Sequence, residues 1–240
     1  MKRIGFSTGA IAFGDFGRAL SLLSRFEVNA VELSALRFAE LDPLLRAIDH
    51  LDLRQFQYVS FHAPSKFSAE DEPRLVQLLR RISDRKWPII LHPDSIFRPE
   101  LWLPLQDALC FENMDKRKPV GRTAAELQSL FDLYSKASLC FDMGHAHQVD
   151  RTMSEGRLIA QRYSRRIRQL HISEVNTRSE HVPISAASEF AFSKVIDLLN
   201  QDTPIIIESV VREDEIESEL IRVVGVFEGA IRELCSKDWG

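Results

Sequence analysis

Eight short apolar runs, each followed by a stretch with helical amphipathic periodicity, predict an α/β chain folded as a single (β/α)8 TIM barrel over residues 1–240. Two further observations support that fold. The runs recur at spacings of roughly 25 to 35 residues, the length of one strand–helix unit. Most of them also stop at a Glu, Asp or His. An open, doubly wound sheet is the competing architecture. It calls for a glycine-rich phosphate fingerprint after the first strand, and Gly9, Gly14 and Gly17 do not make one.

The first strand reads Arg3 to Ser7, and the helical pattern after Asp15 carries Leu20, Leu22, Leu23 and Phe26 toward a core. Val28 to Ser34 is the second strand, with Glu32 near its end; a helix over Leu41 to Leu51 then has Pro43 in its first turn. The third strand, Phe56 to Phe61, ends at His62. The acidic cluster Glu70, Asp71 and Glu72 opens a helix through Leu75, Leu78, Leu79 and Ile82. Pro88 to Leu91 ends at His92 and leads to a short, irregular helix over Pro99 to Leu105. Ala108 to Phe111 leads to Glu112, and Thr123 begins a helix through Leu127, Leu130, Phe131 and Tyr134.

The sixth strand lies in Ser138 to His147, where Leu139, Cys140 and Phe141 read as a strand buried on both faces. It stops at Asp142, Gly144 allows a sharp turn, and His145 falls on the loop above; the other reading makes Asp142 a helix cap and His145 a surface residue. A helix from Met153 to Arg166 precedes the seventh strand, Ile167 to Leu170, which ends at His171 before a loop holding His181 and Pro183. Helix Ser188 to Leu199, strand Pro204 to Ile207 ending at Glu208, and helix Glu213 to Leu234 complete the series.

Apolar residues make up 45% of the 240 and charged residues 28%, which is ordinary for a soluble globular chain and too apolar for disorder. No apolar run approaches the ~20 residues that span a bilayer, and Met1 to Ser7 enters a strand without a signal-peptide core. The expectation is a cytoplasmic protein without membrane partners. A net charge of −4 argues against a broad grip on nucleic acid. The three cysteines, Cys110, Cys140 and Cys235, read as buried reduced thiols.

In such a barrel all strand carboxyl ends face one side, so Glu32, His62, His92, Glu112, Asp142, His171 and Glu208 converge on one pocket, with His145 and His181 on loops above. Five of the seven histidines occupy these positions; His50 and His147 do not. Imidazoles and carboxylates are the ligands of borderline divalent ions such as Zn, Mn or Fe. Three carboxylates meeting in a pocket repel unless a cation or protons intervene, and a divalent ion resolves that conflict. The charged loop of Asp115, Lys116, Arg117 and Lys118 is either solvated surface or a rim that binds an anionic substrate, with Arg122, Arg178 and Arg212 as further candidates. The basic run Arg162 to Arg168 leads into the amino end of a strand and faces away from the site.

The segments FHAP, LHPD, FEN, FDMGHAH, LHIS, EHVP and IIES occur in an order that resembles the xylose isomerase-like TIM-barrel superfamily, which holds endonuclease IV-type enzymes and many sugar isomerases and epimerases. The resemblance covers nearly the whole chain. In the endonuclease IV branch it implies a three-ion cluster: His62, His92 and Glu112 at one ion, Glu112, Asp142, His171 and Glu208 at a second, His145 and His181 at a third. That branch carries an Asp two residues before the position of His181. This chain has Ser179 there, with Glu180 displaced by one. The isomerase and epimerase branch implies one ion on Glu112, Asp142, His171 and Glu208, with the two glutamates as acid and base.

The expectation from this ligand set is two or three divalent ions and metal-assisted hydrolysis of a small sugar-like or phosphorylated substrate. Glu112, Glu208 and His145 are then catalytic, and Glu32, Lys116, Arg117 and Lys118 bind substrate. The alternatives are a single-ion sugar (phosphate) isomerase or epimerase and a non-catalytic metal-binding barrel. Oligomeric state is not written in the sequence.

Overall fold

The computed structural model describes residues 2–237, with side chains described through Glu228. Strands β1 (Ile4–Ser7), β2 (Ala30–Ser34), β3 (Tyr58–His62), β4 (Ile89–Leu91), β5 (Leu109–Glu112), β6 (Ser138–Asp142) and β7 (Ile167–Ile172) follow one another round a closed parallel barrel. A two-stranded antiparallel hairpin, β8 (Glu174–Val175) and β9 (His181–Val182), then interrupts the series before β10 (Ile205–Ile207) closes the barrel against β1. The helices are α1 (Thr8–Ala12), α2 (Phe16–Leu23), α3 (Phe38–Ala47), α4 (Glu72–Asp84), α5 (Pro99–Trp102), α6 (Ala124–Leu133), α7 (Met143–Val149), α8 (Ser154–Arg162), α9 (Ala186–Ile196) and α10 (Ile216–Lys237). Among the described residues, no helix is long and apolar enough to cross a membrane. Cys235 lies outside the residues whose side chains are described; Cys110 and Cys140 are buried free thiols.

Strand alternation decides which residues reach the site. On β5, β6 and β7 the residues Leu109, Phe111, Leu139, Phe141, Leu170 and Ile172 point outward into the shared core beneath the helices. The intervening residues point into the barrel. Ile90, Cys110 and Cys140 form a small apolar cluster there, and two residues further along their strands stand His92, Glu112 and Asp142. An apolar plug thus underlies the polar mouth. At β1 the packing is tight enough to require glycine, because a Cβ on Gly5 would lie 1.7 Å from the Ala30 carbonyl oxygen.

The strand series and the helix set match expectation, with local differences that have physical causes. Helix α3 starts at Phe38, so Pro43 lies inside it rather than in its first turn. The Glu40 carboxylate accepts from the Leu36 and Arg37 amides just ahead of the helix, a capping contact that starts it at Phe38. Pro99 to Leu105 divides into α5 and a 3-10 turn. The stretch after Asp142 is a helix: the Asp142 carboxylate points into the barrel mouth and also accepts from the His145 amide at 2.6 Å as an N-cap, while His145 is buried among the ligands and is neither on an open loop nor on the surface. Gly144 serves this geometry by close approach rather than by a special turn, since a Cβ there would meet the Ser173 carbonyl oxygen at 2.4 Å. The basic run lies away from the mouth, with the Arg166 guanidinium on the Ser135 and Ala137 carbonyls at 2.8 Å.

Candidate metal centre and active site

The predicted strand-end residues do converge. Glu112, Asp142, His171 and Glu208 each bring one ligand atom to within 4.8 Å of the others, and so do His62, His92 and Glu112 as a second group. Asp142, His145 and His181 form a third such group, and Glu32, His62 and Glu208 a fourth. Glu112 is the shared centre. Its Oε2 lies 3.3 Å from His62 Nε2 and 3.2 Å from His92 Nε2, while its Oε1 lies 3.1 Å from His145 Nδ1. His171 Nδ1 stands 3.2 Å from Glu208 Oε2, and His181 Nδ1 is 3.7 Å from the same oxygen.

The hydrogen-bond inventory indicates what these groups fit. Glu112 Oε1, Asp142 Oδ2, His171 Nδ1 and His92 Nδ1 are buried and have no hydrogen-bond partner among the described residues. A buried polar atom without a partner costs about 1–3 kcal/mol, more if charged. Here three such atoms belong to one four-residue group of three carboxylates and an imidazole. That donor set suits a borderline divalent cation, which would satisfy all of them at once.

Charge in the ion-free chain is distributed accordingly. Burial pushes the Glu112 carboxyl up, but His92 and His171 outweigh it and hold it well below the usual range. Burial likewise raises Glu208, and His171 and His181 reverse that to about 2. Asp142 goes the other way: burial and the neighbouring Glu112 and Glu208 carry it to about 7, against the pull of His145. Burial lowers His145 and His62, yet Asp142 and Glu112 lift the first to about 10, and Glu112 and Glu32 lift the second to about 9. Burial prevails at His92 and His181, which are lowered. Protons therefore occupy the place a cation would take.

Above these ligands lies a cleft of about 350 Å³, at the small end of the range for small-molecule sites. His62, His92, Glu112, His181 and Glu208 line its floor, and Phe13, Leu36 and Val210 form an apolar rim. Lys66 on the loop after β3 also lines it. The predicted anion rim is placed elsewhere. Lys118 Nζ reaches Asp94 at 2.8 Å, Arg117 lies 3.6 Å from Asp115, and the Lys116 side chain is exposed outside the cleft lining. The further candidates are paired as well: Arg122 with Glu126, Arg178 with Glu180, Arg212 with Asp214 and Glu215. Lys66 carries no ion pair among the described residues, and sequence reading overlooked it because it follows no strand-end ligand directly.

Three other placements refine the sequence picture. Ser179, in a left-handed conformation at φ 56°, donates its hydroxyl to Asp115 at 2.7 Å, while Glu180 is exposed and paired with Arg178, so neither supplies a carboxylate beside His181. Asn113 ties two ligand strands together: its side chain donates to the Asp142 carbonyl and accepts from the Asp142 amide, both at 2.8 Å. Glu32 lies one layer below the mouth. It pairs in register with Ser60, whereas Ser34 is the residue opposite His62. Its side chain is fully buried beneath His171 rather than at a substrate rim.

The description "xylose isomerase-like TIM barrel" belongs to the family model that matches residues 107–223. Among solved structures, a xylose isomerase domain protein from Alicyclobacillus acidocaldarius superimposes with a TM-score of 0.67 at 14% identity, covering 96% of this chain and 99% of that one. An L-ribulose 3-epimerase gives 0.62 at 13% identity over 98% and 97% of the two chains. A D-allulose 3-epimerase from Methylomonas sp., in complex with D-allulose, gives 0.59 at 11% identity over 92% and 89%. A search of curated proteins found no match. The chain is thus a closed eight-stranded parallel barrel whose second half, from β5 through β10, is similar to the xylose isomerase-like TIM-barrel family.

Proposed function

We propose that this protein is a divalent-metal-dependent isomerase or epimerase of a small sugar or sugar phosphate. The observation that carries the reading is the convergence of Glu112 and Glu208, from strand ends separated by β6 and β7, in one group with Asp142 and His171 under a cleft of about 350 Å³. These four residues would hold the ion, which when bound polarises a substrate oxygen and so acidifies the neighbouring carbon. Glu208, a carboxylate in the ion-free chain and beside the cation when one is bound, takes the proton from that carbon. Glu112, ionised in the ion-free chain, is the partner acid once it has taken a proton from solvent; it delivers that proton to the carbon, and Glu208 releases the one it took to solvent. His145, on the Asn113 carbonyl at 2.9 Å through Nδ1, holds its ring against Glu112 and Asp142 and steadies both. The cleft's size and its sugar-epimerase fold relatives support this reading over hydrolysis of a large substrate.

A second reading keeps the multi-ion hydrolase, because His62 and His92 both face Glu112 Oε2 and form a further ligand group. Elemental analysis of protein purified without chelator separates the two. If those histidines hold an ion, stoichiometry exceeds one per chain and falls by one in the His62→Ala, His92→Ala double variant. A value near one in both proteins leaves them as hydrogen-bonding partners of Glu112.

The direct test is a screen of the metal-loaded protein against ketoses, ketose phosphates and abasic-site DNA in deuterated water. Isomer interconversion with deuterium entering at one carbon is the expected result; strand cleavage without interconversion would overturn the proposal. For a phosphorylated substrate, Lys66→Ala is expected to raise KM about tenfold with kcat little changed, the loss of one charge-assisted contact. Neutralising Lys116, Arg117 and Lys118 together should leave KM within about twofold, since those side chains lie off the cleft. The reverse pattern would return the anion site to the loop after β5.

A further inference from the structure

We propose that Glu32 is a positioning residue that fixes the ring of His171, so that Nε2–H faces inward and the Nδ1 lone pair faces the ligand group. The inference rests on the reading of His171 as a metal ligand. Three side chains converge on Glu32 Oε2: His171 Nε2 at 3.0 Å, Gln169 Nε2 at 2.7 Å and Ser60 Oγ at 3.1 Å. All four residues are fully buried. Gln169 is itself oriented from below, because its Oε1 accepts from the Tyr58 hydroxyl at 2.8 Å. Burial holds the Tyr58 phenol well above its ordinary range, so it carries its proton and donates. The Gln169 amide nitrogen therefore faces upward as a donor.

That arrangement sets a choice at His171. Its Nε2 lies 2.8 Å from Gln169 Nε2 as well as 3.0 Å from the Glu32 carboxylate. Without Glu32, the Gln169 amide would donate to a bare Nε2 and put the ring proton on Nδ1, where it would point at Glu208 and close the ligand position. With Glu32 present, a charge-assisted bond from Nε2–H is stronger than a neutral amide contact. When an ion displaces the second ring proton, the one that remains sits on Nε2, and Nδ1, which has no hydrogen-bond partner among the described residues, is turned toward Glu112 and Glu208. A carboxylate behind a ligating imidazole also raises its basicity, and losing such a partner typically costs about 10- to 100-fold in metal affinity.

The test uses Zn²⁺ alone as probe, on full-length protein, by competition with a chromophoric chelator. Glu32→Gln should weaken Zn²⁺ binding about 10- to 100-fold at unchanged stoichiometry. Ser60→Ala, a milder change to the same carboxylate, should weaken it by a smaller factor. In Zn²⁺-loaded wild-type protein, nitrogen-15 NMR should place the His171 ring proton on Nε2, and that proton resonance should move upfield in Glu32→Gln. Equal affinity in wild type and Glu32→Gln overturns the inference, as does a His171 ring bound through Nε2. Loss of one whole ion from the stoichiometry would make Glu32 a ligand and overturn it too. If Glu32→Gln does not fold, Ser60→Ala and the wild-type spectrum decide. Wild-type protein that binds no Zn²⁺ would instead defeat the metal reading underneath.

Discussion

Glu208→Gln should lower kcat by about 10³-fold while the fold and the ion content at saturating Mn²⁺ stay as in wild type. The size follows from the role: a positioned general base contributes about 10²–10⁴ to a proton transfer. Gln preserves shape and one oxygen near His171 Nδ1, so the strand end need not move. What it removes is the charge that His171 and His181 maintain, with the carboxyl at about 2 in the ion-free chain. Of the four-residue group, Glu208 is also the one that is not fully enclosed: its side chain is 13% exposed while Glu112, Asp142 and His171 are 1% or less. A substrate carbon entering the cleft meets it first. Because Gln is also a weaker ligand, the assay is run across an ion titration and kcat is read at the plateau. A plateau within tenfold of wild type would remove Glu208 from the proton-transfer role and shift the search to Glu112.

Much of this site is legible in the sequence because strand ends in a parallel barrel all open on one face. Reading the residue after each apolar run is enough to find His62, His92, Glu112, Asp142, His171 and Glu208. The layer beneath is harder to see. Ser60 and Gln169 sit two residues before His62 and His171, so period-two alternation marks them as inward-facing, but nothing in their type signals a role. Glu32 misleads for the same reason: it is near a strand end, yet the β2–β3 register puts Ser34, not Glu32, level with His62. Register is set by closure of the whole barrel and cannot be read from one strand. The basic loop of Lys116 to Lys118 shows the converse limit. Its position after β5 follows from topology, but its direction depends on partners far away in sequence, Asp94 for Lys118 and Gln148 for the Lys116 amide. The hairpin that carries His181 has strands of two residues each, too short to show any periodicity.

Removing divalent ions with a strong chelator is expected to lower the thermal midpoint by roughly 8–16 °C, and the gap should widen as pH rises from about 7 to 9. An ion held at free concentrations about 1,000 times its Kd stabilises the fold by about 4 kcal/mol. For a domain of this size, each kcal/mol is worth about 2–4 °C. The pH trend comes from the groups that hold protons in the cation's place. Asp142, at about 7, and His62 and His145, at about 9 and 10, all lie above their ordinary values in the folded chain. A group raised on folding contributes stability that is fully present below its unfolded value and is lost as pH climbs through the folded one. Asp142's share is lost between about pH 4 and 7, so the further loss of the ion-free chain from pH 7 to 9 comes from His62 and His145 as they give up their protons. Carboxylates lowered on folding, Glu112 and Glu208, act in the opposite sense but only in acid, outside this window. The metal-loaded chain has exchanged those protons for a cation and should hold its midpoint across the same range. Differential scanning calorimetry of chelated and Mn²⁺-loaded protein at several pH values measures both curves. Coincident midpoints at every pH would mean that protons alone reconcile these buried carboxylates and that no ion belongs to the folded state.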